Sequence, residues 1–268
     1  MNRSHPLVAR AVRSPSLGSP SLCARFLGAI SLGALLLATS SSAHAHQVWL
    51  EQDAGGGKLY FGEFGDNLHE ASPGYLDKLT QVSAQLVSRA GDKPLTVEKQ
   101  RDGVRLAGRA ASGESLVVED RAYPMMESSE GSKKTRTAWT PAARFVADLS
   151  PRAPKLALDV VPTSSTGDFR VYYRGAPLPK AQVTLVAVSG WSLSGTTDGE
   201  GKVSFRLPWK GGYALLVRHK DATAGTRKTP KGETEAFDAA SFATTLTFIT
   251  TEGLPSPPAP PPAPPNTP

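Results

Sequence analysis

From residue 156 onward the chain runs in short segments where apolar and polar positions alternate with period two. These are LALDVV (156–161), DFRVYYRG (168–175), AQVTLVAV (181–188), KVSFRL (202–207), YALLVRH (213–219) and ATTLTFIT (243–250). Period two, with β-branched and aromatic residues enriched, predicts strands half-buried on one face. Turn residues separate them: GAPLPK, TTDGEGK and WKGG. About seven short strands in roughly 100 residues read as an immunoglobulin-like β-sandwich over 151–253. The polar stretch 220–241 reads as a long mobile loop before the last strand.

The pattern is less regular between 46 and 150. HQVWLEQ (46–52), KLYFGEF (58–64), TQVSAQLVS (80–88), LTVEKQ (95–100), VRLAGR (104–109) and ESLVVED (114–120) predict further strands. Residues 67–79 read as a short helix interrupted at Pro73-Gly74, and 124–137 as polar and exposed. The expectation is all-β: an N-terminal β-rich domain over 46–150, then the sandwich, with a boundary near SPRAP (150–154). Nine prolines crowd the last 15 residues, LPSPPAPPPAPPNTP (254–268). Proline fixes φ and lacks an N–H, so this segment predicts a disordered, solvated polyproline tail.

Composition changes the picture at the other end. Residues 1–25 hold Arg3, Arg10, Arg13 and Arg25 and no acid; FLGAISLGALLLAT (26–39) is apolar, and SSSAHA follows. A basic start, a short apolar run and an A-x-A-like site predict an export signal over 1–45, so the destination is the periplasm. The net charge of +6 belongs mainly to this segment, because four of the 30 basic residues precede residue 46 and none of the 24 acidic ones do. A processed chain at about +2 gives no support to a nucleic-acid partner. Its one cysteine, Cys23, leaves with the signal. No later run is long and apolar enough to span a bilayer, so a soluble product is expected.

Several segments taken together resemble a known family. HQVWLEQ directly after the signal, LYFGEF, FRVYYRGAPLPKAQVTLVAVSGW, the TTDGEGKVSFRLPWKGGYALLVRH run and the closing FDAASFATTLTF are similar to the DUF4198 family of periplasmic components related to cobalt and nickel uptake systems. The likeness spans most of 46–250. The G-x-P-L-P-x-A-x-V-T-L motif is shared with carboxypeptidase-regulatory-like sandwiches. The resemblance implies a periplasmic, non-catalytic protein associated with transition-metal acquisition. The expected partners are a transition-metal ion and a membrane metal transporter or an outer-membrane receptor.

Candidate ligands follow from the residues themselves. The processed chain keeps His46, His69 and His219, and His44 too if cleavage falls after Ala43. Cleavage after Ala45 makes His46 the first residue, and its amine and Nδ1 chelate one ion. Cleavage after Ala43 leaves His44-Ala45-His46, whose amine, two deprotonated amides and His46 ring form a square plane suited to Cu(II) or Ni(II). Ni(II), Co(II) and Cu(II) are the candidate ions, with no organic cofactor. His219 closes the strand YALLVRH on the face of Tyr213, Leu215 and Val217, where a structural role competes with that of second ligand. His69 sits beside Glu70 in a polar loop, and Glu51, Glu63 and Asp66 are further carboxylates in reach. No G-x-S-x-G, H-E-x-x-H or P-loop pattern occurs, so no catalytic residue is expected. The rival reading is a non-metal interaction module docking an envelope receptor. A copper enzyme would need a second histidine beside His46 and a flat substrate face.

Overall fold

The 12-residue strand Ala239–Thr250 is buried on both faces along most of its length. It lies at the centre of a nine-stranded sheet. The order is Ser192–Thr196, Gln182–Ala187, Gly211–Asp221, Ala239–Thr250, Lys133–Val146, Ser115–Asp120, Val82–Val87 and Lys93–Leu95, with Met126–Glu130 pairing off Lys133–Val146. Neighbours are antiparallel except one pair: Lys133–Val146 and Ala239–Thr250 run parallel, with Thr137 opposite Ala239 and Phe145 opposite Thr247. The computed structural model describes residues 46–266, and the expected export signal, with His44, lies outside the described residues.

Two smaller sheets cover the opposite faces of this central one. On one side are Gln47–Asp53, Gly56–Glu63, Gly103–Leu106, Val97–Gln100 and the two-residue strand Leu68–His69. On the other are Leu158–Pro162, Asp168–Tyr173, Ala176–Pro177 and Lys202–Ser204. Side-chain alternation assigns the faces. Ala240, Phe242, Leu246 and Phe248 pack into one core with Leu158, Val160, Phe169 and Val171. Ala243, with Ala143 and Phe145 of the neighbouring strand, packs into the other with Val48, Leu50, Leu59 and Phe61. Buried threonines tie the layers. Thr244 Oγ1 donates to the Leu158 carbonyl (2.7 Å), Thr245 Oγ1 to that of Val48 (2.7 Å), and Thr247 Oγ1 to that of Leu50. A hydroxyl buried without such an acceptor would cost about 1–3 kcal/mol. A fully buried ion pair adds a further tie: Arg144 Nη2 and Nε donate to Asp159 at 2.6 and 3.0 Å.

The all-β expectation holds, and the C-terminal half forms a β-sandwich. The halves nevertheless share one sheet across residue 150, because the parallel pair joins residues 137–145 to residues 239–247. Two other expectations, over 220–241 and 67–79, are corrected. The stretch 124–137 is polar and largely exposed, as expected, and contributes Met126–Glu130 and the start of the 14-residue strand Lys133–Val146. Polar side chains mark its outer end, and the apolar run begins only at Ala138. The region 220–241, expected to be a mobile loop, contains the hairpin Gly225–Lys228 with Thr234–Phe237. The expected short helix over 67–79 is instead the strand Leu68–His69 followed by a 3-10 turn at Tyr75–Lys78. Among the described residues, no helix is long and apolar enough to cross a membrane.

The tail also differs from expectation. Leu254 is held at the Trp209 end of the molecule, its N–H donating to the Pro208 carbonyl and its own carbonyl accepting from Lys210 N–H, both at 2.8 Å. Farther on, Ala263 bridges in parallel to Leu68. The proline-rich segment is therefore laid along the N-terminal sheet instead of being solvated throughout.

Candidate functional site

His46 stands immediately before the strand Gln47–Asp53, where Gln47 pairs with Gly62 and Gly62 in turn with His69. Gly62 makes this three-strand register possible. Its φ is +142°, and a Cβ there would lie 2.1 Å from the Leu68 carbonyl oxygen. Along Leu68–His69 and the residue after it, alternation turns His69 to one face and Glu70 to the other. Glu70 consequently lies beneath His46. Its N–H donates to the Phe61 carbonyl at 2.7 Å, and its side chain has no exposed surface.

The His46 imidazole meets the Glu70 carboxylate through Nε2 and Oε1. Its ring packs 5.1 Å from Phe61 and 5.5 Å from Tyr75, centre to centre. Two further donors reach the same carboxylate from the tail: Asn266 Nδ2 to Oε1 at 2.7 Å and Asn266 N–H to Oε2 at 3.2 Å. A buried carboxylate is stable only with such partners. With Glu70 as acceptor, the neutral imidazole carries its proton on Nε2, which leaves the lone pair on Nδ1. This is the arrangement by which a second carboxylate fixes the tautomer of a metal-binding histidine. Beyond the ring opens a cavity of about 250 Å³ lined by aromatic side chains, among them Phe61, Tyr75, Tyr123 and Trp139, with Arg218 at its edge.

The other histidines lie elsewhere. His69 is on the opposite face of the small sheet, its ring centre 4.6 Å from that of Tyr60 and 5.1 Å from that of Trp49. Burial there lowers its pKa below the ordinary 6.5, with Lys58 adding to the effect. His219 packs, tilted by 50°, with its ring centre 4.3 Å from that of Tyr173 of the far sheet, which itself packs on the core of Tyr213, Leu215 and Val217. The Tyr173 hydroxyl donates to Asp221 at 2.7 Å, and desolvation with that bond pushes the phenol up to about 12. The structure thus gathers neither His69 nor His219 onto His46. Glu51 accepts from Trp49 Nε1 at 3.0 Å, a packing role. Among the described residues, no three His, Cys, Asp or Glu side chains gather into one metal-holding group. Any ion at His46 would therefore be held by that imidazole and main-chain nitrogen.

Sequence reasoning weighed Glu51, Glu63 and Asp66 as carboxylates and passed over Glu70 and Asn266. Alternation from His69 would have put Glu70 on the other face, but only the Gly62 register puts that face under His46. No local signal ties Asn266 to a residue 196 positions away. No protein-family model matches the chain, and no curated protein matches it.

Proposed function

We propose that the chain, exported and processed, is a periplasmic binding protein that takes up a transition-metal ion at its N-terminal histidine as an accessory to metal uptake. The observation that supports this reading is the His46–Glu70 pair. The carboxylate engages Nε2, so Nδ1 is left for the ion. Both cleavage positions use that same nitrogen. After Ala45, Nδ1 joins the new amine of His46. After Ala43, it completes a plane with the His44 amine and two amide nitrogens, a geometry for Ni(II) or Cu(II). The resemblance of the mature start and the C-terminal sandwich to the DUF4198 family points the same way. Binding is reversible coordination without a chemical step. It needs a deprotonated amine and neutral imidazole, so affinity falls in mild acid.

The test is native mass spectrometry of protein processed in a bacterial host and titrated with Ni(II), Co(II) and Cu(II). The intact mass reports the first residue. A single metal adduct in the wild type, absent in His46→Ala, is expected. A processed wild-type chain that takes up none of the three ions overturns the proposal.

A further inference from the structure

We propose that the C-terminal proline-rich segment is a built-in strap that closes over the His46–Glu70 pair, with Asn266 as its latch and a groove along Asn67–Glu70 as its seat. The strap regulates access to the metal site and so rests on that reading of His46.

The contacts of the tail recur every three residues. The Pro260 carbonyl accepts from Asn67 Nδ2 at 2.9 Å. Ala263 N–H donates to the Asn67 carbonyl at 3.1 Å. Asn266 then donates twice to Glu70, and its side-chain nitrogen lies 3.2 Å from His46 Nε2. Three residues is the repeat of a polyproline II helix, so one edge of the segment faces the protein throughout. The burial pattern agrees: Pro260 and Ala263 are half-buried, while Pro261, Pro262, Pro264 and Pro265 are exposed.

The register follows from which residue can donate. From 260 to 265 the sequence is PPPAPP, and Ala263 is the only position with an N–H. That one donor is spent on Asn67, next to the two-residue strand Leu68–His69, whose outer edge would otherwise be open. Polyproline is already extended before it docks, so little chain entropy is lost on seating. The far end is fixed at Trp209–Leu254, and twelve residues of polyproline from there reach about 37 Å. The segment is thus held at both ends, and its latch lies on the two side chains that orient the proposed ligand nitrogen. Release of the latch uncovers His46 while leaving the sheet beneath intact.

The experiment uses the full processed chain and a double variant, Ala263→Pro with Asn266→Ala. It keeps the polyproline character but removes the Ala263 donor and the side-chain bond of the latch, leaving only the Asn266 N–H at 3.2 Å from Glu70. Acylation of histidine by diethyl pyrocarbonate, followed by peptide mapping, reads access to His46 without any metal. The variant is expected to modify His46 at least fivefold faster, with His219 as an unchanged internal reference. Pro264→Ala, on the exposed edge, is expected to behave as wild type. Stopped-flow association of Ni(II) is expected to quicken by a similar factor in the double variant. Equal acylation rates at His46 in wild type and double variant overturn the strap. Faster acylation with no nickel uptake by either protein upholds the strap as a cover on His46 and overturns the metal reading instead.

Discussion

Replacing Glu70 by Leu removes the one acceptor that fixes the His46 tautomer while keeping side-chain volume. The carboxylate has no exposed surface, so no water stands ready to take its place. Without it the neutral ring is free to carry its proton on Nδ1, the nitrogen required for the ion. Loss of such an orienting carboxylate costs about 10–100-fold in metal affinity, or roughly 1.4–2.7 kcal/mol. Glu70→Gln keeps a carbonyl acceptor and replaces a charged hydrogen bond by a neutral one. The difference between those classes is about 1–1.5 kcal/mol, so a loss near tenfold is expected. Both substitutions also undo the Asn266 latch. The comparison is therefore made in the Ala263→Pro, Asn266→Ala background, where the strap is already released. Competition titration with Ni(II) against a chelator of known affinity reads the order Glu, Gln, Leu at position 70 of that background. In that background the only tail donor left at Glu70 is the backbone N–H of exposed residue 266, which can turn to water, so the stability change stays near 1 kcal/mol, a fall in Tm of about 2–4 °C. Equal affinity in all three proteins, with Tm within that range, would refute the argument that Glu70 orients the ring.

Two other predictions concern the frame that holds the site. Asp159→Asn leaves Arg144 fully buried without its counter-charge, and breaking such a pair costs about 3–5 kcal/mol. Calorimetry should show Tm lower by about 6–20 °C, with most of it recovered in Arg144→Met, Asp159→Leu; a fall below 2 °C for Asp159→Asn would show that the pair does not tie the layers. The second concerns pH. The pKa of His69 is lowered in the fold, chiefly by burial, so the unfolded chain takes up its proton first as pH falls. The His69 contribution is fully present above about pH 6.5 and is lost as pH drops below it toward the folded value. A Tm series from about pH 8 to 5 should slope less in His69→Gln than in wild type; parallel slopes would place the titration elsewhere.

Much of the secondary structure was legible because strands announce themselves locally. Segments such as DFRVYYRG and AQVTLVAV alternate with period two because one face meets a core and the other meets water. That signal fails where both faces are buried or both exposed. Ala239–Thr250 has cores on each side, so its pattern gives no hint of a parallel partner more than 90 residues away. Lys133–Val146 begins with exposed polar residues, so from sequence its outer end reads only as a polar, exposed stretch and the central strand it starts goes unmarked.

The expectation of an export signal, the all-β class, the candidate His46 and the proline-rich C-terminal segment all follow from local composition and pairwise chemistry. These readings needed the sequence alone. Tertiary structure decided what they do to one another. It merged two expected domains through one nine-stranded sheet, separated His69 and His219 from His46, and buried Glu70 against that imidazole. It also brought Asn266 back across the chain to close the pair. These are long-range outcomes of strand register, and register depends on which faces find a core, information spread over the whole chain and present in no single segment.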